Sequence, residues 1–432
     1  MLRVVLIIID GIGDEYIPEL DGTPLEYASG RLHTLNRMAK EGICGIMHPV
    51  APGVPPSSDI GHLSIFGYDI EKEYPGRGYF EALGAGLSLS KNEIAFRVNL
   101  ATVREENGYL IVTDRRAGRI SGEDAAALYQ ALNKALHEEG IPARVVHTIE
   151  HRGVLVLRGD DLLGAVTDTD PHETGTPILA AEPWRELSED YFEKARKTAE
   201  IINEITMVSY KILSVMDINA SRMARGLPPA NVILIRGGGM AKDIVSFMER
   251  WGFKPAFIAA GALYKGIARA LGMEEIHVTG ATGTPDTNLD GKVDGCLRAL
   301  DRGYDFVFLH IKGTDNLSHD KKPREKAKFL IRIDQALERL YGLEDSVIIV
   351  TGDHSTSSLR GRHIGLPVPL LIWSGKMRRD RVEVFNETAC SSGGLGTFMG
   401  RDLMRIIMDM SDRSVETGTR PEGRPLQFHT ER

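Results

Sequence analysis

The chain has 432 residues, 42% hydrophobic and 26% charged, with 60 acidic against 52 basic side chains and a formal net charge of -8. That composition excludes disordered and collagenous classes, and the mixed order of the charges leaves no basic stripe of the kind a nucleic-acid partner requires. The length exceeds what one compact core usually absorbs, so two domains, or one large domain carrying an insertion, are expected.

Three cysteines, Cys44, Cys296 and Cys390, lie far apart without a CxxC pair. This fits buried thiols in a reducing cytoplasm rather than a disulfide framework. The opening MLRVVLIIIDGIGDE has the outline of a signal peptide, but its apolar run ends in Asp10 without a small-residue cleavage site, so it is read as a strand. No apolar stretch reaches the ~18 to 20 residues that cross a bilayer, so no membrane partner is expected. The composition is compatible with a homo-oligomer.

Val4 to Ile9 is a β-branched run without alternation, the pattern of a strand buried on both faces of a parallel sheet. A helix is expected over Arg31 to Glu41 and another over Asp59 to Phe66, where Ser57 or Ser58 is placed to serve as N-cap. From about residue 76 the pattern changes. Short strands at Ala95 to Val103, Tyr109 to Thr113, Ala143 to Thr148 and Gly153 to Arg158 surround a helix at Gly122 to Glu139, followed by a long helix from Ser188 to Met216. Asn231 to Ile235 predicts one more strand, then a glycine run, Gly237 to Gly239, and a helix through Glu249.

Buried-strand patterns return at Asp305 to Ile311, Ser346 to Val350 and Val368 to Trp373, with helices at Pro323 to Tyr341 and Leu395 to Met410. The alternation predicts an α/β fold, a doubly wound sheet in residues 1–75 and 251–432 with an inserted α+β domain at 76–250. The polar stretch Asp412 to Arg432 is expected to fray or to pack on the surface.

Ligands of open parallel sheets gather at the carboxyl ends of the strands, so Asp10, Asp315 and Asp353-His354 should converge. Asp315 and His319, at i and i+4 after a strand, share one face if a helix begins at Gly313. With His363 they give three carboxylates and three imidazoles, a mixed oxygen and nitrogen set suited to zinc, manganese or cobalt more than to calcium. Taken singly, each is more often a turn cap or a solvated pair. Ser58, in PPSSDIGHLSIFGYD, is the candidate nucleophile, because metal coordination can remove the proton that makes a serine hydroxyl unreactive.

Arg116, Arg119, Arg152 and Arg236 of the insertion are candidates to bind a doubly anionic substrate, since the guanidinium fork matches carboxylate and phosphate, with Lys265 entering from the core side. Asp114 is the candidate for moving a proton between substrate hydroxyls. Asp286, Asn288 and Asp290 imitate a calcium loop, but Leu297 stands where a bidentate glutamate is needed. The Arg236-Gly-Gly-Gly239 segment is neither G-x-G-x-x-G nor a P-loop, so no nucleotide is implied.

The strand-Asp-Gly start, SSDIGHLSIFGYD, KGTDNLSHD, TGDHSTS and the later histidine together resemble the alkaline phosphatase superfamily, and within it the archaeal-type 2,3-bisphosphoglycerate-independent phosphoglycerate mutases. GRGYFEALGAG, DRRAGRI, NVILIRGGG and AAGALYKGIARALGMEEIHVTGATGTPDTN extend the likeness over nearly the whole chain. The resemblance implies two divalent ions (manganese, zinc, cobalt or magnesium) and no bisphosphoglycerate. One ion would be held by Asp315, His319 and His363 and the other by Asp10, Ser58, Asp353 and His354, with Ser58 transiently phosphorylated and a phosphoglycerate as substrate.

The chain departs from the family pattern at Ser357, where a proline is usual, and at Ile364 to Pro367. Those departures bear on the substrate rather than on the metal and serine positions. A phosphatase or another small-ester phosphotransferase, including a homoserine-kinase-like enzyme, would share the same serine and metals. A metal-binding scaffold without catalysis is the reading from a different class.

Overall fold

The computed structural model describes residues 1–418 apart from Ser121 and Lys376. Its centre is an eight-stranded sheet in the order Gly396–Met399, Ile43–His48, Val368–Trp373, Ser346–Thr351, Arg3–Ile9, Phe306–Ile311, Pro255–Ile258, Glu274–Glu275. Only Val368–Trp373 runs against the others. The middle strands are sealed on both faces, every residue from Val4 to Ile9 having no exposure, which is why they read as unbroken apolar runs.

A second, five-stranded antiparallel sheet is built from Glu93–Glu106, Tyr109–Asp114, Ala143–Ile149, Arg152–Arg158 and Val232–Met240. Glu93–Glu106 is the longest strand and pairs with three others along its length. Helices Gly122–Glu138 and Glu189–Leu213 cover this sheet, enclosing an apolar core around Phe96, Leu128, Leu155, Ile202 and Ile235.

Several elements differ from the sequence expectation. The glycine run is no loop. Val232–Met240 continues as strand through Gly237 to Gly239, because a Cβ at Gly238 would lie 2.3 Å from the Gly164 carbonyl oxygen, and only glycine lets the backbones approach so closely. The helix after it is short, Phe247–Trp251, with Ser246 and Glu249 forming a capping box.

Leu395 to Met410 is not one helix. Gly396–Met399 adds an edge strand to Ile43–His48, and only Leu403–Met410 is α-helical. The i, i+3, i+4 spacing of Leu395, Phe398 and Met399 imitates a helix, but the open sheet edge and Gly396 at φ 65° favour the extended form. The long helix ends at Leu213, and a separate helix, Asp217–Ala224, follows.

Within the polar tail, Arg413 pairs with Asp305 at 2.8 Å and lies over the Phe253 ring. Residues 419–432 lie outside the described part of the chain. Asn288 caps the helix Leu289–Asp301 by accepting from the Gly291 amide, so the calcium-like segment is a helix start.

Candidate active site

The central register brings the predicted metal residues together. Ile9 lies opposite Ile311 and Ile8 opposite Thr351, so Asp10 emerges beside Lys312 and beside the Gly352-Asp353-His354 turn. Gly313–His319 is a helix, as its i, i+4 pair requires, and places His319 Nε2 3.3 Å from Asp315 Oδ1. The two short strands Ser355–Ser357 and Arg362–Ile364 pair Thr356 with His363, which folds His363 back until its ring stacks on His354 at 3.7 Å.

Ser58 is the first residue of the helix Ser58–Ile65, with Ser57 at the cap position, so its hydroxyl is not consumed as a cap. It lies 3.2 Å from His354 Nε2, which is also 3.3 Å from Asp10 Oδ1 and 3.3 Å from Asp353 Oδ2. Two compact ligand groups result, Asp10–Asp353–His354 and Asp315–His354–His363. His354 stands in both, and His319 approaches Asp315 from the more exposed side.

The hydrogen bonds fix the ring tautomers. His319 Nδ1 meets the Gly361 carbonyl at 2.7 Å and His363 Nδ1 meets the Pro56 carbonyl at 2.8 Å, and a carbonyl only accepts, so both Nδ1 atoms carry hydrogen. Thr356 donates to Asp315 Oδ1 at 2.9 Å, so its oxygen accepts from His354 Nδ1 at 3.0 Å. All three rings therefore turn an Nε2 toward carboxylates, the orientation that second-shell partners give to metal-binding imidazoles. Asp10 Oδ1 and Asp353 Oδ2 are buried without hydrogen-bond partners. Orphaned carboxylate oxygens facing imidazole lone pairs fit divalent cations, and this donor set suits them.

Burial alone would raise Asp10, but the Lys312 ammonium, 3.3 Å away, and the hydrogen bond from His310 Nε2 to Oδ2 hold it well below the usual carboxylate range. Asp315 is likewise buried, and the Lys312 ammonium at 2.8 Å holds it well below the usual carboxylate range. Burial and the neighbouring Asp10 push Asp353 up to about 7. Behind the site, the buried pair Lys326–Asp14, 3.0 Å apart, ties the loop after the first strand to Ser358 and Thr356.

The predicted substrate residues fall into two groups. Arg152, Arg236 and Arg116 belong to a guanidinium cluster with Arg77, Arg97 and Arg115, whose acidic partners are Glu81, Asp170 and Asp59. The Nε atoms of Arg97, Arg152 and Arg236 are buried without hydrogen-bond partners, and Arg77 Nε has only an ion-pair contact, 3.3 Å from Glu81. Burial, reinforced by Arg77, lowers Arg236 to about 10, and burial with Arg236 lowers Arg97 well below the ordinary guanidinium range. Arg119 extends to Asp320, 3.7 Å away at the end of the Gly313–His319 helix.

The other two candidates are engaged elsewhere. Asp114 accepts from the Arg116 and Gly118 amides at 2.7 and 2.8 Å, so both its oxygens hold the turn that carries Arg116 and Arg119. Lys265 forms a 2.6 Å ion pair with Glu275, which Arg269 also binds.

Sequence reasoning missed Lys312, Tyr264 and His310. Lys312 opens the KGTDNLSHD segment, and its spacing of three from Asp315 was a usable signal. Tyr264 lies within the AAGALYKGIARALG segment beside Lys265, but nothing local marks it, and it and His310 come to the site through tertiary packing. Arg77, 3.4 Å from Asp59, links the residue after Ser58 to the arginine cluster.

A mostly parallel sheet with a serine, carboxylates and imidazoles gathered at its carboxyl end places the chain among α/β proteins whose strand ends can hold divalent cations. Within that class, the chain belongs to the 2,3-bisphosphoglycerate-independent phosphoglycerate mutase family, whose profile matches residues 39–219. It is 44% identical to the mutase of that name from Ignicoccus hospitalis over 96% of this chain and 99% of the relative. It is also 44% identical to the mutase of Thermococcus kodakarensis over 96% and 98%. Among solved structures, a Pyrococcus horikoshii protein superposes with TM-score 0.79 at 37% identity, covering 97% of this chain and 99% of its own. The cofactor-independent phosphoglycerate mutase of Thermoplasma acidophilum gives TM-score 0.63 at 34% identity, over 95% and 100%.

Proposed function

We propose that this chain interconverts 3-phosphoglycerate and 2-phosphoglycerate through a phosphoserine at Ser58, in the cytoplasm, in glycolysis and gluconeogenesis. The observation that carries this reading is the meeting of Ser58 Oγ with His354 Nε2, itself 3.3 Å from carboxylate oxygens of Asp10 and Asp353. Asp10, Ser58, Asp353 and His354 would hold one divalent ion and Asp315, His319 and His363 the other, with His354 close enough to reach both. When bound, the ions supply Lewis-acid charge that acidifies the serine hydroxyl and balances the phosphoryl oxygens.

Ser58 Oγ gives up its proton and attacks the phosphorus in line, the bond from phosphorus to the 3-oxygen breaks, and the proton lost by the serine is returned to the 3-oxygen, leaving glycerate with a 3-hydroxyl. Arg116, Arg119, Arg152 and Arg236 retain the glycerate carboxylate and phosphoryl group while the molecule turns. The 2-hydroxyl then gives up its proton and takes the phosphoryl group from Ser58. Asp114 would accept that proton on a lone pair that its two turn bonds leave free. Lys265, paired with Glu275, is left out of this scheme.

Residues 1–75 and 251–432 form the metal-binding core in this reading, and 76–250 an inserted domain that closes over the substrate and excludes water. Separate apolar cores beneath the two sheets support that division. The test is a manganese-supplemented assay that follows 2-phosphoglycerate and free phosphate together, for wild type and Ser58→Ala. Formation of 2-phosphoglycerate without added bisphosphoglycerate, abolished in the variant, is the expected result. Release of phosphate alone would make the protein a phosphatase, and turnover that survives the substitution would overturn the serine mechanism.

A further inference from the structure

Tyr264 is 3% exposed, and its hydroxyl donates to Ser58 Oγ across 3.3 Å. Its ring stacks on His310 with centroids 3.7 Å apart and planes at 25°. His310 Nε2 in turn contacts Asp10 Oδ2 at 3.1 Å, and the Lys312 ammonium lies 5.3 Å from the Tyr264 ring centroid. The phenol is therefore fixed against the same group of residues that surrounds the serine.

Its position is also fixed from behind. Tyr264 lies in the helix Ala262–Ala270, which crosses Arg77–Gly84 at glycine contacts. A Cβ at Gly84 would lie 1.7 Å from the Ala262 carbonyl oxygen, and one at Gly266 would lie 1.7 Å from the Phe80 carbonyl oxygen. The two backbones touch, so the helix cannot slide without moving Arg77, the partner of Asp59.

We propose that Tyr264 is a further catalytic residue, whose hydroxyl donates a hydrogen bond to Ser58 Oγ as that oxygen attacks phosphorus and again as it leaves. Resting on the Ser58 reading above, the assignment adds a donor from the protein itself. In the first step the phosphorus–serine bond forms and the phosphorus–substrate oxygen bond breaks. In the second the serine–phosphorus bond breaks in favour of the glycerate 2-oxygen. Relative to the neutral serine hydroxyl and to the phosphoserine ester, Oγ carries more negative charge while its bond to phosphorus is partial, and a preorganised donor in a water-poor site stabilises that charge. The tyrosine proton stays on the phenol throughout, so proton balance is unchanged.

Tyr264→Phe removes the donor and keeps the ring that stacks on His310. The experiment compares wild type, Tyr264→Phe and Ser58→Ala as full-length, manganese-loaded protein. It measures manganese affinity by calorimetry, steady-state kcat and KM with 3-phosphoglycerate, and the rate of Ser58 phosphorylation by rapid acid quench and mass spectrometry. Rates are referred to the folded, manganese-binding fraction.

The expected result for Tyr264→Phe is unchanged manganese affinity, KM within about twofold, and a roughly 10- to 100-fold fall in kcat matched by the phosphorylation rate. Wild-type kcat and phosphorylation rate in Tyr264→Phe, with Ser58→Ala inactive, would overturn the role of Tyr264 and leave the serine reading intact. Turnover by Ser58→Ala would overturn both.

Discussion

The carboxyl end of the central sheet and the arginine face of the second sheet carry opposite kinds of electrostatic deficit. Around Ser58, buried carboxylate oxygens of Asp10 and Asp353 lack partners and face imidazole nitrogens. On the second sheet, the buried Nε atoms of Arg97, Arg152 and Arg236 lack partners, and burial lowers Arg97 and Arg236. In the proposed function the first region receives cations and the second receives the anionic substrate. Unsatisfied buried charge costs stability, so each region retains a strain that its ligand would relieve.

The largest expected effect tests the cation side. Asp10→Ala removes one orphaned oxygen together with the acceptor for His310 and Lys312. Turnover should fall at least about 1,000-fold, about 4 kcal/mol of barrier, and manganese titrated by calorimetry should bind far more weakly. Wild-type manganese affinity in this variant would break the comparison, because the carboxylate deficit would then have no cation to explain it.

A smaller effect tests the anion side. Arg236 shares Asp170 with Arg115 and has the weaker hold on it, at 3.8 Å against the bidentate 2.6 and 2.8 Å of Arg115. Its guanidinium is thus the freer of the two to meet a substrate. Arg236→Met should raise KM for 3-phosphoglycerate about 10- to 100-fold, the worth of one charged hydrogen bond, without lowering the unfolding temperature of the ligand-free protein. A lower unfolding temperature with KM unchanged would make Arg236 a structural partner of Asp170 and remove it from the anion face.

The two regions also differed in how much of them could be read from sequence. The central strands announce themselves because burial on both faces forces unbroken apolar runs, and Asp10, Asp315 and Asp353-His354 stand where those runs stop. Ser58 and the i, i+4 pair of Asp315 and His319 were legible for the same local reason. Tyr264, His310 and Arg97 were not, since their roles arise from contacts between elements far apart in sequence. The glycine run misled because Gly237 to Gly239 looks like a loop until Gly164 is known to lie against it. Leu395 to Met410 misled because helix-like spacing says nothing of a sheet edge waiting for a strand.

Lys265 gives the finest test of where the anion face ends. It was expected to bind substrate because it returns from the insertion beside the core, and it is the residue after Tyr264. Its ammonium instead pairs with Glu275 at 2.6 Å, and Arg269 shares that carboxylate. A cation already compensated by a carboxylate contributes little to the deficit that attracts an anion, and partly exposed pairs of this kind are worth at most about 1 kcal/mol. Lys265→Met should therefore leave kcat unchanged and KM within about twofold. A tenfold rise in KM would mean that substrate draws Lys265 away from Glu275, with Arg269 left to hold that carboxylate alone. The anion face would then reach the helix that positions Tyr264, and the two regions would meet at Ser58 rather than remain distinct.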